Sequence, residues 1–120
     1  MTVRRMKTYT ADTGYVYQYY FVGKRDALAG AVHAPATEYV FDVTCDRNSL
    51  YAFSIFVRAD ALDAWALSHA RGLTEAEQYA AAKLRLLRAF DEIGDLEQSE
   101  REWAVSSENI EELLSVLGLE

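Results

Sequence analysis

Hydrophobic side chains recur at every second residue through the first half of this chain and at helical spacing through the second. The run Tyr15-Val16-Tyr17-Gln18-Tyr19-Tyr20-Phe21-Val22 is rich in aromatic and β-branched residues, which suit a pleated strand. Alternation puts Tyr15, Tyr17, Tyr19 and Phe21 on one face and Val16, Gln18, Tyr20 and Val22 on the other. Thr37 to Cys45 shows the cleanest alternation, with Tyr39, Phe41, Val43 and Cys45 opposite Glu38, Val40, Asp42 and Thr44. A turn at Asp46-Arg47-Asn48-Ser49 leads into a third strand, Leu50 to Val57. Its short connection makes the second and third strands an antiparallel hairpin. The longer stretch from Lys24 to Pro35, built of small residues, reads as a flexible hairpin tip.

Helical spacing begins at Asp60 and runs to Arg71, with Leu62, Trp65, Ala66 and His69 on one stripe and Gly72 as the expected C-cap. Thr74-Glu75-Ala76-Glu77 is a capping box that opens a helix to about Ile93. Its core stripe is Tyr79, Ala82, Leu86, Phe90 and Ile93, widened by Leu84 and Leu87. Trp103-Ala104-Val105 reads as a short strand or a mere anchor. Ser106 or Ser107 then caps a last helix, Glu108 to Leu117, with Ile110, Leu113, Leu114 and Leu117 as its stripe.

The expected fold is a single α+β domain over residues 1–120: a three-stranded antiparallel meander packed on one face by helices. The order is β-β-β-α-α-(β)-α, the bracketed strand being the short one near Trp103. The odd-numbered strand residues are all apolar or amphipathic and form the face toward the long helix. The other face is mixed. Val16, Tyr20, Val22, Val40 and Phe56 stand among Gln18, Glu38, Asp42, Thr44 and Ser54, enough apolar surface to mark an interaction site. Three coverings compete for it: the last helix through Leu113, Leu114 and Leu117, a second copy of the chain, or another protein.

Composition narrows the class. The chain has 120 residues and a net charge of −7. Residues 1–60 hold seven basic and six acidic side chains, residues 61–120 five and thirteen. From Asp91 onward ten acids stand against Arg101 alone. Such an end disfavours nucleic-acid binding, which depends on neutralising phosphates. An aromatic platform of Tyr20 and Phe56 beside Lys24, Arg25 and Arg58 is opposed by the same charge. Glu97, Glu100, Glu102, Glu108, Glu111 and Glu112 form instead an acidic face, either a solvated surface or a site for a basic partner. Neither a signal-peptide pattern nor an apolar span of membrane length is present, and Cys45 is the only cysteine, so a cytoplasmic protein that does not enter a membrane is expected.

Candidate chemistry is sparse. His33 and His69 have no metal-ligand spacing, and no cofactor is implied. Cys45 ends an apolar face and is expected to be a buried, inert thiol. Gly23-Lys24-Arg25 lacks the glycines of a phosphate loop. A pocket lined by Tyr15, Tyr17, Tyr19 and Trp65 is the ligand-binding or catalytic alternative. The leading reading is a non-enzymatic module that self-associates, as a homodimer, or binds another protein through the half-apolar sheet face or the C-terminal helix. A third reading is an acidic inhibitor, or nucleic-acid mimic, of a basic partner.

Overall fold

The computed structural model describes residues 6–118. Its elements are β1 (Lys7–Thr10), β2 (Val16–Ala29), β3 (Ala34–Thr44), β4 (Tyr51–Arg58), α1 (Ala59–His69), α2 (Glu75–Glu92), β5 (Glu102–Val105) and α3 (Ile110–Ser115). The five strands form one mixed sheet in the order β1-β2-β3-β4-β5. The first four run antiparallel, and β5 runs parallel to β4 after the chain has crossed through α1 and α2. An α+β architecture with a β2-β3-β4 meander is therefore present, but the sheet is larger than the meander alone. β1 adds an edge that the pattern missed, because its four residues, Lys-Thr-Tyr-Thr, are too few to establish a period.

The stretch from Lys24 to Pro35 is not a flexible tip: β2 and β3 continue pairing as far as Ala29↔Ala34. Each strand supplies the other's ladder partners, so small residues with little strand preference are held by pairing. Gly30 and His33 take positive φ in the tight turn between them. A bulge between Phe21 and Gly23 reverses the parity of β2. Beyond it, Arg25, Ala27 and Ala29 share a face with Glu38, Ala36 and Ala34.

The inner face carries the core. Tyr17, Tyr19, Tyr39, Phe41, Val43, Phe53, Ile55 and Val57 are all buried there. α2 docks on them as its spacing predicts, with Ala82, Leu86 and Phe90 fully buried and Tyr79 packed alongside. Phe90 stacks on Tyr17 at 4.5 Å with planes 10° apart, and its centroid lies within 6.2 Å of those of Tyr9, Tyr19 and Phe53. Three helical turns earlier, Tyr79 meets Phe21 edge-on at 5.1 Å. Two residues expected on this face are elsewhere. Tyr15 precedes β2 and is 53% exposed, and Cys45 follows β3 and is also exposed. Both lie one residue beyond a strand, where the backbone no longer holds the alternation.

The capping box at Thr74 and Glu77 forms with both of its hydrogen bonds. Arg71 adds a bidentate pair to the Glu77 carboxylate, at 2.9 Å for each bond. α1 ends two residues earlier than its pattern suggests, at a left-handed Ala70 rather than at Gly72. His69 and Arg71, flanking this turn in sequence, both reach the Trp65 ring, at 4.1 and 5.1 Å. α3 is shorter than its pattern, and Ser106 Oγ and Asn109 Oδ1 tie down its entrance by accepting from the Glu108 and Ser106 amides. It packs on the helical side, so Ile110, Leu113 and Leu114 join the core while Leu117 is 42% exposed. This removes the last helix from the coverings of the outer sheet face.

β1 is fastened by Tyr9, whose hydroxyl donates to both oxygens of Asp91 at 2.9 and 3.1 Å. Burial and the Asp91 carboxylate push the Tyr9 phenol up to about 12. Because this folded value exceeds the unfolded one near 10, the contribution is complete below pH 10 and is lost as pH rises through 12. Unfolding by denaturant should therefore grow easier between pH 10 and 12, and less steeply in Tyr9→Phe. At neutral pH, Phe90→Ala should lose about 3–5 kcal/mol in urea titration, since four aromatic rings close on that side chain.

Candidate interaction surface

With all three helices contributing to the inner core, the outer sheet face is built only from side chains of the strands and their turns. Parity places Val16, Gln18, Tyr20 and, beyond the bulge, Arg25 on it, opposite Thr44, Asp42, Val40 and Glu38. Ser54, Phe56 and Arg58 continue it across β4, and Glu102 and Ala104 across β5. Several of its polar groups are paired with one another. The Tyr20 hydroxyl donates to Asp42 at 2.8 Å. Glu38 accepts from Arg25 Nε at 2.7 Å and from the Ser54 hydroxyl. The Arg25 guanidinium holds the Glu38 carboxyl below the usual carboxylate range, against the opposing pull of burial, and Ser54 adds to the effect. Arg58 closes on Asp60 with two bonds.

The face divides into two parts. Beyond Ala36↔Arg58 the β2-β3 ribbon has no β4 partner and forms an arm. The arm's outward residues are Ala27, Ala29, Ala34 and Ala36. These small side chains let the ribbon curl over its own sheet, so that Ala29 and Gly30 face Phe56, Trp103 and Ala104 across a slot of about 210 Å³. Ala29 is buried as a result. The remaining part stays open. Met6, Gln18, Tyr20, Thr44, Arg47 and Leu50 line a hollow of about 540 Å³ at its far end. Val22 and Val40 share a second hollow beside Gly23 and Arg25.

Of the five residues assigned to this surface from sequence, Val16, Tyr20, Val22 and Val40 lie on the open part, and Phe56 lies under the arm. Met6 and Leu50 belong to the open part as well, 38% and 55% exposed; Met6 precedes β1, which the pattern did not show, and Leu50, read as the start of the third strand, falls just before β4. Tyr17, Tyr19 and Trp65 are solid core: the first two close on Phe90 and the third stacks on His69, while Tyr15 is out in solvent. The acidic residues are all exposed but do not act alike. Glu111 binds His69 at 2.9 Å and Glu112 binds Arg88 at 3.4 Å, whereas Glu102 stands at the rim of the slot.

Comparison with protein-family models, with curated proteins and with solved structures finds no match to this chain. What the surface can do therefore rests on its own chemistry. Among the described residues no group of three or more His, Cys, Asp and Glu side chains is arranged to hold a metal ion, and no helix is long and apolar enough to cross a membrane.

Cys45 is the one residue whose environment reverses its expected reactivity. It is exposed, yet partial desolvation of the thiol, with Asp46 and Asp95 nearby, pushes its pKa up. Native protein should react with one equivalent of a thiol reagent without denaturant. The rate at pH 8 should fall below that of a free thiol, because less thiolate is present. Failure to label before unfolding would contradict this placement.

Proposed function

We propose that this chain is a non-enzymatic interaction module that self-associates through the sheet face its helices leave uncovered. The observation that carries the reading is the collection of exposed aliphatic groups there: Met6, Val16, Val22 and Leu50 are 38–55% exposed and share the open face with half-buried Tyr20 and Val40. Single exposed hydrophobics are ordinary, but a cluster on one face favours a partner. A second copy is the fitting occupant because a two-fold contact joins the same apolar patch of each copy, while Arg47 and Glu102 at its margins supply both signs of charge. The end of α3 gives a second place for the same function, since Val116 and Leu117 are 67% and 42% exposed.

Static light scattering over a dilution series tests the reading. Wild type should fall from dimer to monomer mass on dilution. Val16→Glu combined with Val22→Glu should stay monomeric throughout and melt as wild type does when diluted to monomer, because both positions are already exposed. A wild type that is monomeric at millimolar concentration would overturn self-association. A double variant with wild-type affinity would take the contact off the open face, and dissociation by Val116→Glu with Leu117→Glu would then place it at α3.

A further inference from the structure

We infer that the β2-β3 arm anchors a second copy of this chain by seating Val32 of one copy in the slot beneath the arm of the other. The inference rests on the self-association proposed above and names its anchoring contact. The chain carries both a knob and a hole. Val32 sits in the arm's turn and is 74% exposed. The hole is the slot of about 210 Å³, whose apolar lining is Ala29, Gly30, Phe56, Trp103 and Ala104. The arm cannot fill this slot itself, because the face it turns inward carries only alanine side chains.

Knob and hole are also placed as a closed contact requires. A two-fold contact needs a residue of each copy to meet the reciprocal site of the other. Gly30, at the slot's mouth, is two residues from Val32, so arms meeting tip to tip bring both knobs to both holes at once. A knob far from its hole would instead build an open chain of molecules. Charge does not oppose the approach: Arg58 at the rim is already paired with Asp60, and Glu102 remains as the rim's hydrophilic edge.

Size shows why such an anchor is needed. Four strands about 4.8 Å apart and eight residues long give a flat face of roughly 500 Å². A standard interface buries about 800 Å² per partner. The arm overhangs the same side of the sheet, so its contact adds to the open face rather than competing with it. A buried side chain near the centre of a contact, ringed by weaker ones, is the usual form of an energetic hot spot.

The test measures dimer dissociation by light scattering and sedimentation for four proteins: wild type, Val32→Glu, Ala104→Leu, and the Val16→Glu/Val22→Glu variant. Val32→Glu removes the knob at an exposed position, and Ala104→Leu plugs the hole while leaving the knob intact. Each should weaken the dimer at least tenfold. If Ala104→Leu does not fold, Ala104→Val serves as the smaller plug. Wild-type affinity in either the knob or the plug variant would overturn the anchor. If the Val16/Val22 variant dissociates in that case, the sheet-face reading stands without it. Dissociation by knob and plug variants with no effect at Val16 and Val22 would support the anchor and overturn the sheet face. A monomeric wild type at millimolar concentration would overturn both.

Discussion

The stacking of Phe90 on Tyr17, with Tyr9, Tyr19 and Phe53 closing around it, is the contact on which the rest of this structure depends. It fixes the height and rotation of α2 over the sheet. With Phe90 in place, Tyr79 on the same helical stripe meets Phe21 three turns earlier, and the helix is pinned at two points. Rings so arranged add a geometric preference to simple burial, so α2 has one well-defined seat. β1 is held to that seat through Tyr9 and Asp91. β5 follows at the other side, where Arg85 of α2 reaches the Ala104 carbonyl and lies 4.9 Å from the Trp103 ring. Both edges of the sheet thus report to one helix.

The inner face governs the outer one. Because aromatic and aliphatic side chains occupy the inward positions of the strands, the helices have one face to bind, and α3 goes with them rather than across the sheet. The bulge at Phe21/Gly23 then matters out of proportion to its size. With it, Arg25 rather than Lys24 stands opposite Glu38 on the outer face and supplies that carboxylate's cation. A buried carboxylate without a partner is strongly unfavourable. The bulge thus sends Arg25 to the outer surface and Lys24 to the helix side, where it meets Glu75, and puts the alanines of the ribbon on the outward face.

How much of this was legible follows from the range of each signal. The capping box of α2 and its apolar stripe are local patterns, and both appear in the structure where the sequence puts them. The inner face was legible because alternation over three strands leaves little freedom of register. The arm was not. Ala27, Ala29 and Pro35 carry weak or unfavourable strand preference, and only mutual pairing holds them extended up to the turn that begins at Gly30. Alternation also says nothing about where a strand stops, which misplaced Tyr15 and Cys45 by a single residue each. The surface residues were identified as sharing a face, but their division by the curl of the arm depends on three-dimensional bending that no periodicity encodes.

The polar groups of the uncovered face bear on what can bind there. Asp42 is engaged by Tyr20, Glu38 by Arg25 and Ser54, and Thr44 by the turn that follows it, where it accepts from the Arg47 amide. These groups already have partners within the chain, so a binding molecule gains little by replacing them. What remains unsatisfied by the fold is aliphatic surface at Met6, Val16, Val22, Leu50 and Val32. Binding driven by such groups is governed by shape and exclusion of water and responds weakly to salt. An encounter through the acidic residues would behave oppositely, and two of those, Glu111 and Glu112, are drawn into pairs with His69 and Arg88. The chain thus spends part of its acidic surface holding α3 in place, which leaves the uncovered sheet face and its arm as the surface with the most to gain from a partner.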